Sequence, residues 1–543
     1  MRPAKLLILT LTCGLLVFVY ACQTAPTTNA PPKAEATAPP GAVAGLPPNA
    51  WQIPCDANQP LCTQPSPAAT PTQAQFNEMG WTSFIAMNWP ALANQRGAPD
   101  SSKSIGATGP DGKPLQVVWE TYKAKSEVFK PDGSAPAAWN VAEPVPSGCS
   151  NVSAGAKVLP RLAKSDDSES DEIIDEINEA TDNPLIDQNN QYVRFEVRLN
   201  QSEFSYIAAG AGDTPKGPGY LYYNSNNQLA AFKPGAKFYN PPKGPEQYVI
   251  GGGDFGSGLP QYAQQGAIEI KAAWKVLDPK KDVASRFFTS QAYLVNPDKS
   301  CSGPITMGLV GLHILRLTPT TGSTWYWATF EQVDNVDISD PNAPKRPDGT
   351  PLAPSFNPGP NGTPAPPYNP PQYVQPPHDP PYPAGFCAAQ PPGTTNCGPP
   401  PAGIPAGSPL PAALAPVNVS RLTPIADDIN TLNQKYRSML KGTVWGNYQL
   451  VAVLNPNTTG TNPTDPKCAI ASTSPAVYPN ICVMANTTIE TYSQNISCVT
   501  CHQNATPIGG SIPANQIFTF LLGNAGPKQP SAKAKAPPPK ATD

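Results

Sequence analysis

Histidine is nearly absent from this chain: His313, His378 and His502 are the three among 543 residues. A metal centre here has few imidazoles to draw on, so the position of each one matters. An excess of basic charge is also lacking. Lys and Arg number 36 against 39 Asp and Glu, giving a formal charge of −3 and a pI near 5.8, so there is no basic footprint and nucleic acid is not an expected partner. No internal repeat is visible. The long apolar run of a membrane span is missing, because the run from Leu6 to Val19 is too short. Finally, no second Cys-x-x-Cys accompanies the pair at Cys498 and Cys501, so four zinc ligands of that type cannot be completed.

What stands at that pair is Ser497-Cys498-Val499-Thr500-Cys501-His502. Two thiols three positions apart can each add to one vinyl group of the same haem, and the adjacent histidine then falls under the iron. The competing reading is a plain disulfide. At these residues the chain resembles c-type cytochromes. The resemblance implies one covalent haem c, with Cys498 and Cys501 as the thioether positions and His502 as the proximal ligand.

The other terminus points to export. Arg2 and Lys5 precede the apolar run, which ends in small residues before a cysteine, the pattern of a signal peptide. Val19-Tyr20-Ala21-Cys22 resembles the lipobox of bacterial lipoproteins. That resemblance implies lipidation of Cys22, and Gln23 in place of Asp implies retention at the outer membrane. The competing reading is cleavage elsewhere and a free periplasmic protein. The partners expected are the membrane, through the N-terminal lipid, and an unidentified redox protein.

There are 12 cysteines. Cys13 lies in the signal segment, and Cys22, Cys498 and Cys501 are assigned above. The even remainder in an exported chain suggests disulfides. Proximity suggests Cys55–Cys62, Cys387–Cys397 and Cys468–Cys482, which leaves Cys149–Cys301; spacing alone does not fix the connectivity.

Organisation is uneven. We divide the chain into a signal peptide (1–21), an Ala/Pro/Thr-rich tether (22–74), a strand-rich globular body (75–339), a proline-rich insertion (340–416), a C-terminal haem-attachment part of the body (417–525) and a disordered tail (526–543). The fold class expected is α+β: a strand-rich body with a few helices, long disordered segments, and a haem attached late, on a C-terminal helix or loop. Tyr192 to Leu199 alternates strictly and predicts a strand with one wet side. Ala267 to Val276 predicts another. From Met307 to Leu317 both alternating sets are apolar, with Met307, Leu309, His313 and Leu315 against Val310, Leu312 and Ile314, so this strand should be buried on both faces. Trp325 to Phe330 should pair with it. Helices are predicted over Phe76 to Trp89, ended by Pro90, and through Ile425, Ile429, Leu432, Tyr436 and Met439. The acidic run 166–179 reads as a solvated helix face. Gly251-Gly252-Gly253-Asp254-Phe255-Gly256 fits G-x-G-x-x-G, but Gly258 and Pro260 bar the helix that motif requires.

The sixth iron ligand decides the mechanism. His378 lies in the proline-rich insertion. His313 is either a core histidine with a hydrogen-bond partner, an axial ligand, or a distal acid/base. Met307, Met439 and Met484 are rival ligands or core packing. Glu331 shares a face with His313 if the hairpin register is even, and would then orient it. Ile517, Phe518, Phe520, Leu521 and Leu522 read as a short apolar helix that either covers a haem face or packs elsewhere in the core. Phe84-Ile85-Ala86-Met87-Asn88-Trp89-Pro90, Trp119-Glu120-Thr121-Tyr122-Lys123 and Gly311-Leu312-His313-Ile314 resemble segments of a group of exported bacterial single-haem proteins, a resemblance that implies no substrate. The favoured function is a membrane-tethered electron carrier of the cell envelope. The alternative is a haem enzyme, peroxidase- or oxygenase-like, with His313 and Glu331 as its catalytic candidates. An envelope binding or sensory module with structural haem has no positive support.

Overall fold

The computed structural model describes residues 43–57, 71–142, 145, 148–149, 152, 156–160, 185–209, 221–231, 264–295, 300–318, 325–340, 342–357, 419–421, 424–454, 484–491, 494 and 520–527. All of them lie within one compact unit, Pro39–Asp543. The signal segment, Cys22, the acidic run, the glycine-rich 251–256, most of the insertion with His378, and the motif Cys498, Cys501, His502 lie outside the described residues. So do Cys62, Cys387, Cys397, Cys468 and Cys482.

The fold is α+β, built on one mixed eight-stranded sheet among the described residues. The strands are β1 (Lys123–Ala124), β2 (Lys157–Pro160), β3 (Arg194–Leu199), β4 (Ile268–Val276), β5 (Thr289–Val295), β6 (Cys301–Arg316), β7 (Tyr326–Gln332) and β8 (Tyr448–Leu454). β2 runs parallel to β5 and every other pairing is antiparallel. β6, at 16 residues, is the spine. One edge pairs with β4; the other pairs with β5 along its first half and with β7 along its second. From Met307 to Arg316 it is wholly buried, as its double apolar pattern predicts.

The alternation inside β6 is broken. The register with β4 shifts between Ala273 and Trp274, where Gly311 pairs with Ala273 but Leu309 with Trp274. Val310 is the extra residue of a β-bulge. Met307 and Leu309 therefore fall on the face of Leu312 and Ile314, not on the face of His313 as simple alternation predicts. Leu309, Leu312, Ile314 and Trp274 join the main core, whereas Val310 and Ala273 join a smaller second core on the other face.

α1 (Gln73–Met87) begins three residues before the expected Phe76, at a capping box: Gln75 N donates to Thr72 Oγ1 at 3.3 Å and Thr72 N donates to Gln75 Oε1 at 2.8 Å. Three shorter helices follow, α2 (Lys125–Val128), α3 (Gln201–Ala209) and α4 (Ser225–Ala231). α5 (Asp427–Met439) opens with Asp427 and Asp428 and carries Arg437 in its last turn, matching the helix dipole. α1 and α5 cover the main core together. Trp81 stacks on Tyr436 with centroids 5.0 Å apart, and Phe84 stacks on Phe330 at 4.2 Å. Asn433 accepts from Trp81 Nε1 and exchanges two hydrogen bonds with the backbone of Leu450, beside the bulge where β8 shifts register against β7.

Three further expectations change. The polar side of β3 is not wet: Arg194, Glu196 and Arg198 are enclosed, and Glu196 accepts from Lys157 Nζ at 2.6 Å, Trp274 Nε1 at 2.8 Å and Arg198 Nε at 2.8 Å. Lys157 also meets Glu120 Oε1 at 2.9 Å and lies 3.9 Å from the centre of the Trp274 ring. The end of the tether is packed, with Ile53, Cys55 and Asp56 buried. So is a short stretch within the insertion, where Phe356 is buried in the second core and Val419 N donates to Phe356 O. Cys149 and Cys301 form a disulfide, the pair left by elimination, and Cys55 is disulfide-bonded as well. Leu521 and Leu522 sit in a 3-10 turn within the main core, and Leu522 O accepts from Gln228 Nε2 of α4.

Candidate functional site

β6 and β7 bring His313, Thr329, Gly311 and Glu331 together. Gly311 pairs with Glu331 and His313 with Thr329, so the register is even and the four project from one face of the sheet. All three side chains are buried, Glu331 and Thr329 fully. A buried polar layer of this kind needs partners.

The partners come from Met484–Thr491. Asn486 Nδ2 donates to Thr329 Oγ1 at 2.9 Å and to Phe330 O at 2.8 Å. Thr487 N donates to Glu331, and Thr488 N and Oγ1 both donate to Asn486 Oδ1. Thr488 rests where only glycine leaves room: a Cβ on Gly311 would lie 2.2 Å from Thr488 Oγ1. Glu490 completes the segment. Its Oε2 accepts from Asn486 N at 2.8 Å and lies 3.3 Å from His313 Nε2. Glu331 reaches elsewhere, to an ion pair with Arg421.

Burial pushes the Glu490 carboxyl upward, but the neighbouring His313, 3.3 Å away, the Asn486 N–H and the charge of Lys271 outweigh it and hold the group below the ordinary carboxylate range. Lys271 is the residue of β4 paired with His313. The arrangement is thus a buried imidazole beside a half-buried carboxylate, flanked by a lysine.

The expected orienter is corrected. Glu331 shares the face with His313, but its carboxylate is committed to Arg421 and Thr487. Glu490 is the residue that addresses the imidazole. A signal for it exists in the chain, since Glu490 is the one acidic residue between Lys467 and His502.

The haem ligands themselves, Cys498, Cys501 and His502, lie outside the described residues. The described candidates for a sixth ligand are placed as follows. His313 Nε2 is faced by a carboxylate. Met307 and Met484 are buried in the main core, and Met439 packs beside it, against Gly45. No group of three or more His, Cys, Asp or Glu among the described residues could hold a metal ion, and no described helix is long and apolar enough to cross a membrane.

No family model, no curated protein and no solved structure matches the chain.

Proposed function

We propose that this chain is a lipid-tethered, mono-haem c-type protein of the bacterial cell envelope that passes electrons to or from a partner protein. The observation that carries the reading is the single Cys498-Val499-Thr500-Cys501-His502 motif, joined to the export signal and the lipobox at Cys22. When bound, the haem supplies one-electron chemistry. Cys498 stands seven positions after Thr491, so the attachment lies no farther than about 25 Å from that residue. The short reach favours a haem held against this body over one carried on a free tail.

A second reading has its own observation. His313 and Glu490 lie 3.3 Å apart, a carboxylate–imidazole pair of the kind a haem enzyme would use as a distal acid/base.

Mass spectrometry of mature protein, made in cells competent for cytochrome c maturation, tests the first reading. One haem adduct is expected on the peptide holding Cys498 and Cys501; free thiols or a simple disulfide there would remove both readings. Carbon monoxide then separates them. A carrier with six ligands leaves its spectrum unchanged, whereas an enzyme binds the gas.

A further inference from the structure

Asn200 stands between β3 and α3 and ties both to the entry of β4. Its Oδ1 accepts from Ile268 N at 3.0 Å and from Glu203 N at 3.1 Å, and its Nδ2 donates to Gly266 O at 2.8 Å. Its backbone donates to Ile268 O and accepts from Phe204 N, both at 2.9 Å. The residue after Ile268 is Glu269. One carboxamide therefore fixes two carboxyl groups, Glu203 and Glu269, within electrostatic reach of each other.

Both are enclosed, Glu203 at 2% exposure and Glu269 at 8%. Glu203 Oε2 is buried without a hydrogen-bond partner. Two neighbouring carboxylates removed from water do not both ionise without a large penalty. Burial first, and the charge of Glu269 second, raise the Glu203 carboxyl well above the ordinary carboxylate range. The dipole of α3 favours charge in its first turn, but that effect is small beside full burial.

The other titratable groups around α3 answer to different partners. Lys123 Nζ lies over the Phe204 ring, but it donates to Val141 O at 2.7 Å and meets Glu127 at 3.5 Å. Lys271, two residues beyond Glu269 on the same side of β4, bears on Glu490. Tyr206 is hydrogen-bonded to Tyr222, and burial raises its phenol far above the usual value, so it stays neutral.

We propose that α3 is a proton-held flap: Glu203 and Glu269 stay enclosed together while one of them carries a proton, and loss of that proton favours a state in which α3 has left β4. A proton needs no preformed cavity, because the opening itself admits water. Phe204, Tyr206 and Ile207 are buried in the closed state, with Phe204 5.7 Å from the Trp139 ring and Tyr206 5.3 Å from Tyr222. Opening thus bares an aromatic face as pH rises and hides it as pH falls. The device is independent of the haem reading and stands or falls separately.

The sign and slope follow from linkage. The closed state holds a proton that the open state releases, so the opening constant rises about tenfold per pH unit between the ordinary carboxylate value and the raised one. Below and above that window it is flat. Hydrogen exchange of the full mature chain, read by mass spectrometry from about pH 5 to 9 and corrected for the intrinsic rate, measures this opening. Protection of residues 201–209 should fall about tenfold per pH unit within the window, while protection of β6 holds. Glu203→Gln mimics the protonated group, so it should keep the acid-side protection and abolish the slope. A wild-type α3 with no slope would overturn the proposal. Equal loss in α3 and β6 would do the same, because the event would then be global unfolding, and so would a slope that persists in Glu203→Gln. Glu269→Gln provides a second variant in case the first does not fold. It removes the neighbouring charge, so its alkaline plateau should begin at lower pH, and an unmoved plateau would refute the pairing.

Discussion

Glu490 has two tasks, closing its own turn through Asn486 N and facing His313 across the sheet. Glu490→Gln keeps the shape and removes the charge. The expected cost at neutral pH is about 1–3 kcal/mol, the range for a buried polar group left poorly matched. The sign of the pH dependence follows from the direction of the shift. Its folded value is depressed, so the stabilisation is present above the ordinary carboxylate value and is lost as pH falls through the depressed one. The gap between wild type and variant in urea denaturation should therefore shrink in acid. A constant gap would mean the charge contributes nothing and the shape everything. His313 was legible in the sequence as a buried residue on a doubly apolar strand, because burial follows from local pattern. Its partner was not, because Glu490 arrives from 177 positions away by a turn whose docking depends on the absence of a side chain at Gly311.

Elements show the same division. β3, β4, β7 and the two long helices were legible within a few residues, since alternation and helical spacing are local properties. The bulge in β6 was not, and it moved Met307 and Leu309 to the opposite face. The enclosure of the polar side of β3 was also invisible, because it rests on Lys157 and Glu120 from other parts of the chain. Burial raises Glu196, while the charges of Arg198 and Lys157 overcome that and bring it to about 2. Lys157→Met would leave Glu120 and Glu196 facing one another without their shared cation. Breaking a buried pair in this way costs about 3–5 kcal/mol, so a clear fall in the thermal midpoint is expected. An unchanged midpoint would show that water enters and replaces the ammonium.

At the scale of the whole molecule, the proline-rich insertion leaves and returns at one place. Val419 N donates to Phe356 O, and Asn357 Nδ2 donates to Val419 O. The ends are hydrogen-bonded neighbours, so removing 360–416 and bridging the gap with about six residues should leave the fold intact. Shortening a loop of about 60 residues roughly sixfold lowers its closure entropy by about 1.6 kcal/mol, so the midpoint should hold or rise. Loss of soluble protein would show that the insertion packs on the body. Composition made the insertion legible, but the packed stretch inside it was not, since Ser355, Phe356 and Asn357 look like the rest and yet are buried.

The sheet changes partners along one edge of β6, from β5 to β7, and the junction is bridged by the Tyr448 hydroxyl, which accepts from Phe288 N at 2.9 Å and donates to Leu309 O at 2.8 Å. Burial, reinforced by Asp334, raises that phenol far above its usual value, so it remains a donor at any pH the fold survives. Two strand groups that share only one spine would otherwise be free to open separately, each at its own free energy. The Tyr448 O–H joins the Arg286–Asp334 ion pair and the Gln332 Nε2 bond to Arg286 O in tying the two groups together across the seam, so the opening of one is coupled to the opening of the other.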